Sequence, residues 1–135
     1  MATSEPHPKG HRCPCTSGDL YASCCGPVID SGRAPGAVRL MRSRFTAFAL
    51  GDAGHLLRTW HPTTRPARLD LDDGMRWLRL DILDQLRGGP FDDDGVVEFE
   101  AFYRHADGRG SLRERSRFVR DDRVWFYVDG VVGTD

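Results

Sequence analysis

Long apolar runs are missing from this sequence. None approaches the ~20 residues that a membrane-spanning helix needs, so no membrane span is expected. A charge excess is missing as well: 19 basic residues stand against 20 acidic ones, for a net charge of -1. That balance argues against a general nucleic-acid binder, whose phosphate contacts demand a basic surplus. Lysine is nearly missing, since Lys9 is the single lysine among the 19 basic residues; such a bias reflects genome composition rather than function. Repeats, heptads and low-complexity tracts are missing, which excludes solenoids and coiled coils. No secretory signal opens the chain. Residues 1–12 are polar, carry prolines and histidines, and read as a disordered leader. A cytoplasmic location is expected, where thiols stay reduced. The remainder of the 135 residues suits one folded domain of about 100 residues plus a small appendage.

Cysteine is absent everywhere except one short stretch. All four cysteines lie in two close pairs, Cys13/Cys15 and Cys24/Cys25. A C-x-C pair sets two sulfurs on one side of a tight turn, which Pro14 stiffens by fixing its own φ. Gly18 and Gly26 supply permissive backbone around it. Adjacent cysteines do not bridge each other without straining the disulfide. Two disulfides or four free thiols are the alternatives to a metal, and a reducing compartment disfavours the disulfides. Four thiolates complete a tetrahedron, so Cys13, Cys15, Cys24 and Cys25 are the expected ligands, with His11 a spare. Zinc is the default ion and iron the minority alternative.

The run Cys13-Pro14-Cys15-Thr16-Ser17-Gly18-Asp19-Leu20-Tyr21-Ala22-Ser23-Cys24-Cys25-Gly26 resembles the SEC-C motif, Cys-x-Cys-x-Ser-Gly-x-x-Tyr-x-x-Cys-Cys. Thr16 stands where that motif usually has glycine. The resemblance implies a zinc knuckle over residues 13–30. SEC-C motifs of the export ATPase SecA contact the export chaperone SecB and ribosomes, so it also implies a protein partner in the export or translation machinery.

Beyond the knuckle two periods succeed each other. Pro27 to Pro35 reads as a connector with a turn at Ser31-Gly32. A helix is predicted from about Pro35 to Leu50, because Val38, Met41, Phe45, Phe48 and Ala49 follow the helical period and Gly51 stops it. Asp52 caps a second helix carrying Leu56, Leu57 and Trp60, and His61-Pro62 ends it. From Trp77 the period becomes two. Leu78, Leu80 and Ile82 make a half-buried strand, and three more strands are predicted near 96–104, 111–120 and 123–129. A two-residue loop at Asp121-Asp122 pairs Arg120 with Arg123, Phe118 with Trp125, Ser116 with Tyr127 and Glu114 with Asp129. Pairing Arg104 with Ser111 sets Glu98 beside Arg117, Glu100 beside Arg115 and Phe102 beside Arg113. One sheet face is then ionic, and the other, with Val97, Phe99, Ala101, Tyr103 and Phe118, faces the helices. Helices followed by antiparallel strands predict an α+β fold.

Polar residues fall on the inward face. Arg44 shares the helix face of Met41 and Phe48, and Glu114 and Ser116 alternate with Leu112 and Phe118. A buried charge needs a partner, so an Arg44–Glu114 ion pair is expected. It would sit in a pocket lined by Phe45, Trp60, Phe99, Ser116, Phe118, Trp125, Tyr127 and Asp129. Concave aromatic sites with a few polar groups suit a small ligand or a peptide side chain. No catalytic residue stands out. His61 reads as a helix-end residue, His55 and His105 as surface residues, and Asp92-Asp93-Asp94 as a solvated loop.

From Cys13 to about Gly130 the chain resembles the YchJ family, also grouped as UPF0225. The carrying segments are the SEC-C motif, Leu40 to Phe48, Thr59-Trp60-His61-Pro62, Glu114 to Phe118 and Trp125 to Gly130. The resemblance implies an NTF2-like domain over residues 31–135, a curved antiparallel sheet wrapping helices into a cone behind the zinc knuckle. It implies a fold more than an activity. Two functions follow as expectations. The first is a binding protein, with the knuckle recruiting a protein and the cone holding a ligand. The alternative is an NTF2-like isomerase, dehydratase or hydrolase, with Glu114 or Asp129 as base and Tyr127 as donor. Such an enzyme would carry a pocket carboxylate with a raised pKa.

Overall fold

In the computed structural model, which describes residues 11–133, four antiparallel strands form a meander in chain order, and a long helix covers its inner face. Helices α1 (Cys25–Ser31), α2 (Ala37–Leu50) and α3 (Ala53–Arg58) precede strands β1 (Arg76–Arg87), β2 (Asp94–His105), β3 (Gly108–Asp121) and β4 (Val124–Val132). This is an α+β arrangement. Of the expected leader, residues 1–10 lie outside the described residues. His11 and Arg12 belong to the knuckle: Arg12 bridges Leu20, and the Tyr21 N–H donates to the His11 carbonyl at 2.9 Å.

The connector is not a bare turn. It holds α1, and the Ser31-Gly32 signal is the end of that helix, with Gly32 in the left-handed conformation that closes helices. α2 starts two residues after Pro35. Its first N–H, from Ala37, donates to the Gly88 carbonyl at 3.0 Å, and a Cβ on Gly88 would strike Ala37. Asp52 caps α3 through its side chain, accepting from the His55 N–H at 3.0 Å. Trp60 lies past the end of α3 and forms a parallel bridge with Tyr127 of β4.

Both predicted hairpin registers are corrected. The β2–β3 loop is tighter than expected, so Arg104 faces Arg109 instead of Ser111. The displacement is even and each residue keeps its face. Glu98 therefore faces Arg115, Glu100 faces Arg113 and Phe102 faces Ser111. The β3–β4 turn is Asp122-Arg123, with φ of 52° and 69°, the positive pair that a two-residue turn of primed type requires. Phe118 consequently faces Tyr127, not Trp125. A bulge between Arg117 and Phe118 then adds an odd step, setting Ser116 against Gly130, Arg117 against Asp129 and Glu114 against Val132. Two further bulges kink β1, and Leu78 turns outward at 39% exposure.

The outer face carries the ions. Arg113 and Arg115 meet Glu98 at 2.9 and 3.0 Å, and Arg117 grips Asp129 through two bonds of 2.7 Å. Phe102 is covered by Arg79, whose guanidinium carbon lies 4.2 Å from the ring centroid. The inner face is the core: Leu40 and Phe45 of α2 pack with Leu80, Val97, Phe99, Ala101, Phe118 and Trp125. The four cysteines belong to that same buried cluster.

Candidate metal centre and cavity

Short-range backbone bonds build the knuckle. The Cys13 N–H donates to the Asp19 carbonyl at 2.8 Å, and the Thr16 N–H to the Cys13 carbonyl at 3.0 Å. Thr16 adopts φ 61°, a left-handed conformation that costs a non-glycine residue on the order of 1 kcal/mol. That is why the motif favours glycine there. The threonine hydroxyl offsets the strain: it accepts from the Leu80 N–H at 3.2 Å, and its one proton faces the Cys15 carbonyl at 2.6 Å and the Leu80 carbonyl at 3.2 Å. The knuckle is thereby tied to the free edge of β1.

Cys13, Cys15, Cys24 and Cys25 are all free and buried, and their Sγ atoms lie within 4.8 Å of one another. A tetrahedral ion with metal–sulfur bonds near 2.3 Å needs sulfurs about 3.8 Å apart. Cys15 and Cys24 are already 3.6 Å apart. The donor set and spacing fit a thiophilic ion. His11 is not among the grouped donors. Outer partners come from α2 and the knuckle. The Thr46 hydroxyl lies 3.3 Å from Cys25 Sγ and 3.6 Å from Cys13 Sγ, and Ser17 Oγ lies 3.2 Å from Cys24 Sγ. Arg42 donates to the Cys15 carbonyl at 3.1 Å and reaches its Sγ at 3.8 Å. Arg39 donates to the Cys24 carbonyl at 3.0 Å.

Crowding sets the thiols against one another. Hydrogen bonds from Cys13 and Cys25 hold the Cys15 thiol far below its ordinary range. Cys25, the donor in such bonds, is pushed far up, and burial raises Cys24 to about 11. A divalent ion reverses this by favouring the thiolate at every ligand.

The opposite face of α2 lines a cavity of about 260 Å³. Six expected pocket residues surround it: Arg44, Phe45, Trp60, Phe99, Glu114 and Tyr127. Three others, Ser116, Phe118 and Trp125, are fully packed in the core and do not line it. Asp129 is a correction. The extra residue Val128 in β4 turns it to the outer face, where Arg117 holds its carboxyl below the usual range. Five lining residues were not singled out as pocket-forming: Met41, Phe48, Trp77, Ala101 and Leu112. The signal existed, since Met41, Phe48, Ala101 and Leu112 fall on the inward periods of α2, β2 and β3.

The Arg44–Glu114 ion pair is not formed. Arg44 is 3% exposed and donates through Nη1 to the Leu56 carbonyl at 2.8 Å and to Thr59 Oγ1 at 2.7 Å. The carbonyl-bearing end of α3 attracts the cation. Its guanidinium carbon also lies 4.4 Å from the Tyr127 ring centroid and 5.2 Å from that of Trp60. Burial lowers its pKa to about 10, so it stays charged at neutral pH. Glu114 instead accepts from Ser116 at 3.3 Å, and burial pushes its carboxyl above the usual range. Gly130 leaves the room: a Cβ there would lie 2.6 Å from Glu114 Oε2. Burial first, and Glu114 second, raise the Tyr127 hydroxyl to about 12.

The histidines differ in kind. His55 is buried at 1% exposure, against expectation, with Nε2 at 2.9 Å from Ser43 Oγ and Nδ1 at 3.3 Å from Arg58. Ser43 already donates to the Leu40 carbonyl at 2.8 Å, so Nε2 carries the proton and Nδ1 accepts. Burial lowers this pKa to about 4, and the neutral ring ties α2 to α3. His61 bonds Asp121 at 3.1 Å beside the Phe126 ring. His105 meets Asp72 at 3.3 Å. Asp92, Asp93 and Asp94 are taken up by Arg87 and Arg120. Among the described residues no helix is long and apolar enough to cross a membrane.

Comparison with known proteins agrees with this anatomy. The family pattern described as "YchJ, middle NTF2-like domain" matches residues 36–130. A UPF0225 protein of Streptomyces coelicolor is 56% identical over 119 residues, covering 87% of this chain and 93% of the relative. A UPF0225 protein of Corynebacterium glutamicum is 49% identical over 125 residues, covering 91% and 98%. The solution structure of a SEC-C motif containing protein from Rhodopseudomonas palustris superposes with a TM-score of 0.78 at 32% identity, covering 90% of this chain and 98% of that one. With four clustered thiols preceding an NTF2-like domain, the chain belongs to the YchJ (UPF0225) family.

Proposed function

We propose that the chain is a cytoplasmic zinc protein whose knuckle, residues 13–30, recruits a protein partner while the domain over residues 31–135 holds a small ligand or a peptide side chain. The observation carrying this reading is the position of α2. Thr46 and Arg42 touch the sulfurs, and Met41, Arg44, Phe45 and Phe48 line the cavity. Zinc is favoured over iron because a closed set of four thiolates is its usual structural site. Export or translation machinery is the proposed partner, by analogy with other SEC-C motifs. Leu20, 44% exposed on the knuckle, offers such a partner an apolar contact without being a ligand. Affinity capture with wild type and Leu20→Asp, each assayed for zinc by mass spectrometry, tests the reading. The variant is expected to keep one zinc per chain and lose the captured partner. Captured proteins identical for both would restrict the knuckle to a structural role.

A second reading has one observation in its favour. Glu114 is a cavity carboxyl with a raised pKa near the protonated Tyr127, an arrangement suited to an isomerase, dehydratase or hydrolase. Asp129 has no part in it, because it faces outward.

A further inference from the structure

We propose that the cavity takes a small aromatic carboxylate, with its acid group on Arg44 and its ring among Phe45, Phe48 and Trp77. The inference rests on the ligand-holding role proposed above and names the chemical class. Arg44 is the first argument. It is buried at 3% exposure, lines the cavity and, among the described residues, has neutral partners only in its hydrogen bonds, the Leu56 carbonyl and Thr59. A buried cation facing a cavity without an ion pair is matched by an anion that brings its own charge.

The balance of donors is the second argument. Trp60 Nε1 is buried and, among the described residues, has no hydrogen-bond partner. Its ring lines the cavity, so the indole reports on what occupies that space. Tyr127 adds a hydroxyl held in its protonated form. Against these donors the wall offers one acid, Glu114, already engaged with Ser116 and pushed toward its neutral form. A ligand amine would lie near Arg44 and find few acceptors. A carboxylate meets the Arg44 guanidinium and the Tyr127 hydroxyl.

Size and wall chemistry supply the ring. An apolar cavity of about 150 Å³ accommodates benzene, so about 260 Å³ admits one aromatic ring with a short acid arm. Trp77 stands edge-on or tilted to Phe45 and Phe48, each with centroids 5.9 Å away, the spacing that aromatic neighbours prefer.

The test uses the full, metal-loaded chain and three probes of one shape: phenylacetate, phenylacetamide and phenethylamine. Binding is followed by calorimetry and by the Trp60 indole N–H resonance. Phenylacetate is expected to bind and to shift that resonance, with the amide at least about tenfold weaker and the amine weaker still. Arg44→Met should lose about tenfold or more for phenylacetate and little for the amide. Ala101→Leu fills the cavity while leaving Arg44 in place, and should abolish binding with the amide spectrum of the fold retained. Equal or tighter binding of the amide or amine would overturn the acid inference and leave the ligand-holding role standing. Silence from all three probes would overturn both. Phenylacetate binding that survives Ala101→Leu would place the site elsewhere and overturn the inference.

Discussion

The two faces of α2 bury polarity in different ways. On the knuckle side four thiols from one short segment converge, and their contacts from beyond the knuckle, Thr46, Arg42 and Arg39, come from a single helix. On the cavity side Arg44, Trp60, Glu114 and Tyr127 arrive from α2, the end of α3, β3 and β4, and no ion pair joins Arg44 to Glu114. One ion would satisfy the thiol face. The cavity face is satisfied by scattered hydrogen bonds and ring contacts, and among the described residues the Trp60 indole N–H has no partner. A local site of this kind suits a fixed ion, whereas a non-local one is suited to an exchangeable ligand.

The largest effect should come from breaking the thiol face. Cys25→Ser removes a ligand that is 1% exposed inside the shared core. Structural zinc contributes about 10 kcal/mol or more to small folds, so the variant should lose metal and several kcal/mol of stability, read as a lowered urea midpoint. An unchanged midpoint would detach the knuckle from the core.

A middling effect should come from His55, which ties α2 to α3 between the two faces. Its folded pKa of about 4 lies below the ordinary 6.5. Between those values the unfolded chain binds the proton and the folded one does not, so stability falls as pH drops from about 6.5 to about 4. At about 1.4 kcal/mol per pH unit the loss is about 3 kcal/mol, and His55→Gln should remove that share of the pH dependence. A variant with the wild-type slope over this window would refute a buried neutral ring.

The smallest effect sharpens the seam between knuckle and sheet. Thr16→Gly relieves the left-handed strain but loses the hydroxyl bonds to Leu80, and should stay within about 1 kcal/mol of wild type. Thr16→Ala keeps the strain and loses the bonds, so it should be less stable than Thr16→Gly by about 1 kcal/mol. Equal stabilities would mean that the turn is not strained.

The same contrast explains what the sequence reveals. The four cysteines are near neighbours, so their convergence is legible without knowing the fold. So is the ionic sheet face, because the β2–β3 pairing differs from the expected one by an even step and Glu98 still meets an arginine. Asp129 was not legible. Its face depends on one bulge between Arg117 and Phe118, which leaves no mark in the alternation of residue types. Arg44 and Glu114 share a cavity as periodicity suggests, but periodicity carries no distances, and the competing carbonyl of Leu56 becomes visible only once α3 is placed. His55 illustrates the same limit, since a six-residue helix has too few positions to show which face is buried.

The central claim is that the metal knuckle and the α2-centred core are one cooperative body. Thermal unfolding followed at once by metal release to a chromophoric chelator and by tryptophan fluorescence tests it most directly. A single midpoint shared by both signals is expected. Metal leaving well below the temperature at which the tryptophans unpack would contradict it.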